Sequence, residues 1–133
     1  MKRRVVHLLQ TRVINPRVRR HAGSPGNRYA LLETIGRRTG QPRQTPVGNG
    51  LDGSVFWIVA EYGWAAGYVR NLVANPRVRV RVDGSWRTGT ARPLPDDDPV
   101  RRLTSLDPRT AREIQRLGMS LLTIRVDMDP LAA

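Results

Sequence analysis

Six residues of strict alternation, Arg77-Val78-Arg79-Val80-Arg81-Val82, constrain this chain more than any other feature. Side chains of a β-strand point alternately to opposite faces, so a period of two sets three valines against a core and three arginines on the other side. Asp83-Gly84 follows at once, a pair suited to a tight turn. Ser85 to Arg92 then returns as a second strand, expected to bury Trp86. An antiparallel sheet is therefore built into the middle of the chain.

The flanking segments extend that sheet. Tyr29 to Ile35 is rich in β-forming residues and predicts a strand, and Gly36 to Gly40 predicts a turn. Residues 43–48 predict a short strand that Pro46 confines to an edge or a bulge. Asp52-Gly53 is a hairpin-type turn. Val55 to Ala60 is a continuous apolar run with the length of a central buried strand. Ala65 to Ala74 predicts a helix ended by Asn75-Pro76. Asp98-Pro99 and Asp107-Pro108 each read as an N-cap followed by proline at the first helical position. They open two short helices, the second with Ala111, Ile114 and Leu117 on one face and a stop at Gly118. Leu121 to Val126 is expected to be the last strand, with a tail from Asp127. At the other end, Val5, Leu8, Leu9 and Val13 fall at helical spacing and predict a helix over 3–14, stopped by Asn15-Pro16. Most strand connections are too short for parallel crossovers. The expected fold is α+β: one domain over residues 1–133, with a core from about 28 to 127. That core is a split β-barrel of about six mostly antiparallel strands with flanking helices.

Charge and missing residue types narrow the function. The 133 residues carry a net charge of +12. Lys2 is the only lysine, so 22 of the 23 basic residues are arginine. Such a field attracts anions: nucleic acid, acidic lipid or a phosphorylated cofactor. With no cysteine there is no thiolate nucleophile and no zinc–thiolate site, and only His7 and His21 offer imidazole. No metal site is expected. The apolar run at the start is too short for a secretory signal and no segment is long enough to span a bilayer, so the expected location is the cytoplasm. The basic N-terminal helix could make a weak peripheral contact with anionic lipid at the inner membrane face, but packing as a lid on the barrel is the preferred reading.

Two segments could carry chemistry. In Gly36-Arg37-Arg38-Thr39-Gly40-Gln41-Pro42-Arg43, two glycines allow a tight turn and three arginines supply forked donors for phosphate or carboxylate. Thr39 adds a hydroxyl. The same residues also suit a solvated basic turn. The segment lacks the lysine of a P-loop. The second segment, Ala60-Glu61-Tyr62-Gly63-Trp64-Ala65-Ala66-Gly67-Tyr68, lies where a strand runs into a helix, with aromatic surface able to face a planar ring. Packing of the helix on the barrel is its alternative, and for Leu72 and Val73 it is the preferred one. The stripe Arg77, Arg79 and Arg81 reads as a wet edge without a role. Nucleic acid is not an expected partner, because base stacking needs exposed aromatics and Phe56 and Trp57 sit in an apolar run.

At these segments the chain resembles the deazaflavin-dependent nitroreductase family, small split-barrel proteins that use coenzyme F420. Leu31 to Arg43 carries the likeness, with Thr45-Pro46 and Asn71-Leu72-Val73-Ala74-Asn75-Pro76-Arg77-Val78. The resemblance implies a reductase that passes a hydride from reduced F420, an 8-hydroxy-5-deazaflavin, to an electron-poor quinone, enone or nitroaromatic compound. FMN is the rival cofactor, and a non-catalytic carrier is the rival role. The implied contacts are Arg37, Arg38, Thr39 and Arg43 on the phosphate and acidic tail. Pro46, Val47 and Gly48 would border the ring. Ala60, Glu61, Tyr62, Gly63, Trp64 and Ala65 would line the ring and phosphate region, and Tyr68 and Asn71 would face it from the helix. Tyr62 and Tyr68 are the candidate catalytic residues. The better-known members tend to carry serine and lysine where this chain has Glu61-Tyr62, and they bring C-terminal tyrosines over the substrate. No tyrosine follows Tyr68 here, which points to a different acceptor. A monomer or a homodimer is compatible with this reading.

Overall fold

The computed structural model describes residues 20–109, 111–112 and 120–131. The helix expected over 3–14 lies outside them, as do Ile114, Leu117 and Gly118. Seven strands are present: β1 (Tyr29–Ile35), β2 (Pro42–Gly48), β3 (Leu51–Asp52), β4 (Val55–Ala60), β5 (Arg77–Val82), β6 (Ser85–Leu94) and β7 (Leu122–Met128). They form one sheet in the order β2-β1-β5-β6-β7-β4-β3, and each neighbouring pair is antiparallel. Helix α1 spans Gly67–Ala74, helix α2 spans Pro99–Leu106, and a single 3-10 turn covers Gly63–Ala65.

The topology dictates the curvature. Strands β2 and β3 lie at opposite ends of the ladder, yet only Asn49 and Gly50 separate them in the chain. That link spans roughly 10 Å at full stretch. The sheet must therefore curl until its two ends meet. Backbone bonds fix the corner: Asn49 N–H donates to the Arg28 carbonyl (2.9 Å), and Trp57 N–H to the Gly50 carbonyl (2.9 Å). The result is the expected α+β split barrel, with two-residue β3 as a seventh strand. Leu32, Phe56, Val80, Ile124 and Val126 fill its interior, and Val69 and Leu72 of α1 pack into the same core.

Several local expectations change. Strand β4 buries only alternate residues, Phe56, Ile58 and Ala60. It lies one strand from the end of the sheet. On its outer face Trp57 is half-buried, with the Arg102 guanidinium of α2 stacked 3.7 Å from its ring centroid. Trp86 is not buried but 37% exposed. It sits directly across from Arg81 in the β5–β6 register, so it shares the arginine face, where Arg79 stacks on its ring at 4.5 Å. Residues after Val126 are not a tail. β7 continues to Met128, and Asp129 accepts hydrogen bonds from Arg77 (3.0 Å from Nη1 to Oδ1) and Thr88. Among the described residues, no helix is long and apolar enough to cross a membrane.

The arginine stripe is not a wet edge either, because β5 lies between β1 and β6. Arg79 grips Glu33 of β1 through Nε–Oε1 (2.8 Å) and Nη2–Oε2 (2.9 Å), and Gln44 donates to the same carboxylate (3.1 Å). Glu33 is only 7% exposed. The Arg79 hydrogen bonds hold its carboxyl below the usual range against the opposing effect of burial. Arg79→Ala should therefore strand a buried charge. Because Arg79 is half-exposed, the loss should be about 2 kcal/mol, less than for a fully buried pair. A lowered folded pKa gives stability that is present above the unfolded carboxyl range and disappears as pH falls through the folded value. The gap between wild type and variant in urea unfolding should thus narrow below about pH 4. A constant gap across pH would show that the carboxylate is not its source.

Candidate functional site

Strand β1 ends at Ile35 and β2 begins at Pro42, so the basic turn closes this hairpin at one end of the barrel. Gly36 N–H donates to the Gln41 carbonyl and Gly40 N–H to the Gly36 carbonyl, both at 2.8 Å. Gly40 has φ +69°, a conformation that favours glycine. Gln41 N–H donates to Thr39 Oγ1 (3.2 Å), which leaves the hydroxyl proton for another acceptor. A Cβ at Gly36 would lie 2.7 Å from Thr39 Oγ1, so glycine keeps this wall of the turn thin.

Around the turn lies a cavity of about 190 Å³, lined by Gly36, Arg37, Arg38, Thr39, Arg43 and Asn71. Asn71 comes from α1, across the end of the barrel. Its Oδ1 accepts from Arg37 N (3.2 Å) and Arg37 Nη1 (2.9 Å), and its Nδ2 donates to Thr34 Oγ1 (3.2 Å). Arg37 Nη1 also reaches the Gly67 carbonyl (3.4 Å). Six ion pairs form among the described residues, and none uses Arg37, Arg38 or Arg43. Three arginines thus line one cavity, and no carboxylate among the described residues pairs with them. Such a donor set is built for an anion.

The second segment joins β4 to α1 at the same end of the barrel. Ala60 is a core residue. Gly63 (φ +55°) turns the chain where a Cβ would press to 2.6 Å from the Ser120 carbonyl oxygen. Trp64 is 53% exposed, while Tyr62 and Tyr68 pack against the core. Burial pushes the Glu61 carboxyl up. Burial, and secondarily the charge of Glu61, also pushes the Tyr68 phenol up.

The family description that matches residues 2–129 is F420H(2)-dependent quinone reductase. The chain belongs to this family. The F420H(2)-dependent quinone reductase Rv1261c of Mycobacterium tuberculosis is 37% identical over 101 residues, 63% of this chain and 67% of that protein. Among solved structures, F420-H2 Dependent Reductase (FDR-A) superposes with a TM-score of 0.62 at 22% identity, covering 75% of this chain and 94% of that one. HutZ, a heme storage protein of Vibrio cholerae, superposes at 0.61 with 14% identity, covering 80% of this chain and 84% of that one. At these identities the structural likeness is one of fold, and the fold is the split barrel.

A member of the F420H(2)-dependent quinone reductase family is an oxidoreductase with F420 as its cofactor, ahead of FMN. The uncompensated arginines suit the anionic part of such a molecule. The structure brings together Arg37, Arg38, Thr39, Arg43 and Asn71 at one cavity. Ala60 to Ala65 lie at the same end without lining it. Pro46, Val47 and Gly48 lie further along β2 toward the opposite end of the barrel, where Gly48 pairs with Tyr29; Pro46 and Val47 are buried and Gly48 is exposed. Sequence reasoning did not single out Thr34. It reads as one more core position of β1, and nothing local marks it as the partner of a side chain 37 residues away. Among the described residues, no group of three His, Cys, Asp or Glu could hold a metal.

Proposed function

We propose that the cavity between the β1–β2 turn and α1 holds the anionic part of F420, and that the protein uses the bound cofactor to reduce a quinone-type small molecule in the cytoplasm. The observation that carries this reading is the meeting of Arg37, Arg38 and Arg43 at one cavity with no carboxylate partner among the described residues. When bound, F420 supplies hydride chemistry that no side chain here could provide. The chain's own residues bind and orient. Arg38 and Arg43 offer planar forks to phosphate or carboxylate oxygens, and Thr39 donates its hydroxyl proton beside them. Pro46, Val47 and Gly48 lie on the outermost strand of the sheet, where exposed Gly48 borders the ring and buried Pro46 and Val47 back that wall. The segment from Ala60 through Glu61, Tyr62, Gly63 and Trp64 to Ala65 flanks the bound molecule at the arginine end. Tyr68 keeps its proton across the physiological range, so it serves as a neutral hydrogen-bond donor and not as a base.

Two measurements test the proposal. Fluorescence titration should give tight binding of F420 and much weaker binding of FMN. With reduced F420 and menadione under anaerobic conditions, the protein should accelerate cofactor oxidation. Tight binding without acceleration would reduce the protein to a carrier. Equal affinity for FMN would remove the cofactor assignment.

A further inference from the structure

Asn71 is buried at 6% exposure, and its three side-chain hydrogen bonds among the described residues tie the arginine turn to the barrel wall. Its carbonyl oxygen takes both the backbone N–H and the guanidinium of Arg37. Its amide nitrogen is oriented by Thr34, which is wholly buried in β1. Arg38 and Arg43 have no comparable anchor among the described residues. A neutral amide is a particular choice for this position. A carboxylate would hold Arg37 more strongly, but it would cancel one of the positive charges that the cavity collects. An alanine would leave the charge but release the long side chain into many rotamers, whose restriction would then oppose ligand binding.

Resting on the cofactor reading above, we propose that Asn71, itself oriented by Thr34, is a positioning residue for Arg37: it fixes one arginine of the anion site in advance while leaving its charge uncancelled. Asn71 acts through Arg37, and this distinguishes it from a general structural residue. In Asn71→Ala the guanidinium loses its anchor. In Asn71→Asp the anchor remains, since the Thr34 hydroxyl can donate to the new oxygen, but the cavity loses net charge. Thr34→Ser keeps the hydroxyl that orients the amide.

The test is a double-mutant cycle read by fluorescence titration of oxidised F420 onto the full chain, with unfolding midpoints measured alongside. Asn71→Ala should weaken binding about tenfold in the wild-type background and hardly at all in an Arg37→Ala background. Asn71→Asp should weaken binding by a similar factor. It should also flatten the salt dependence of the dissociation constant, because one fewer net positive charge faces the ligand. Thr34→Ser should bind like wild type. Equal losses from Asn71→Ala in both backgrounds would overturn the proposal, as would an Asn71→Asp variant that binds as well as wild type. Should Arg37→Ala, Arg38→Ala and Arg43→Ala all bind F420 normally, the cofactor reading itself fails. Weakened arginine variants with an additive Asn71 effect sink only the positioning role.

Discussion

Replacing Arg38 and Arg43 together by alanine should weaken F420 binding by at least about a hundredfold, since each charge-assisted contact is worth about 1.5–3 kcal/mol. The two side chains share one ligand, so the double variant need not equal the sum of the singles. Stability should hardly change. Both residues are exposed, and neither takes part in an ion pair among the described residues. The clean signature is therefore a lost affinity in fluorescence titration beside an unaltered urea midpoint. A double variant that binds F420 within threefold of wild type would move the anion site elsewhere.

Gly50→Ala should destabilise the protein by about 3 kcal/mol. The added methyl would collide with the carbonyl oxygen of Trp57 and stand 2.9 Å from its carbonyl carbon. Both are backbone atoms of β4 and cannot rotate away. The same residue accepts the Trp57 N–H, so relief by moving the corner would lengthen the bond that ties it to β4. Gly48→Ala is the control: nothing lies within 4 Å of its added methyl, and its unfolding midpoint should stay near wild type. Equal midpoints for the two variants would mean that the corner has room for the methyl group.

Much of the frame was legible because it follows from local rules. Tyr29–Ile35 announced β1 with its bounds, the arginine–valine alternation announced β5 and its inward face, and Asp98-Pro99 announced α2. Asp98 does accept the Arg101 N–H (3.1 Å) as an N-cap should. The failures share a cause. Trp86 looked like a core residue by hydrophobicity, but its face is decided by its partner Arg81 in the neighbouring strand. Glu33 and Arg79 lie 46 residues apart and meet only through the β1–β5 register. Asp129 seemed to belong to a tail until β7 ran on to Met128 and delivered it to Arg77. At the candidate site, the three arginines of the turn were readable because they fall within one short stretch of chain. The link from Asn71 to Arg37 and Thr34 was not, since it depends on where α1 crosses the barrel.

The packed interior has a consequence for traffic. Small barrels are filled by side chains and not by ligands. Phe56, Leu32, Val80, Ile124 and Val126 occupy that space here. A tricyclic ring cannot be swallowed by such a body. On the proposed reading, the cofactor lies along the outside with its charged terminus at the arginines. Electron donor and electron acceptor therefore need no shared tunnel. Each can arrive and leave across open surface, and changes in the rim loops can retune which oxidant is served without disturbing the scaffold beneath.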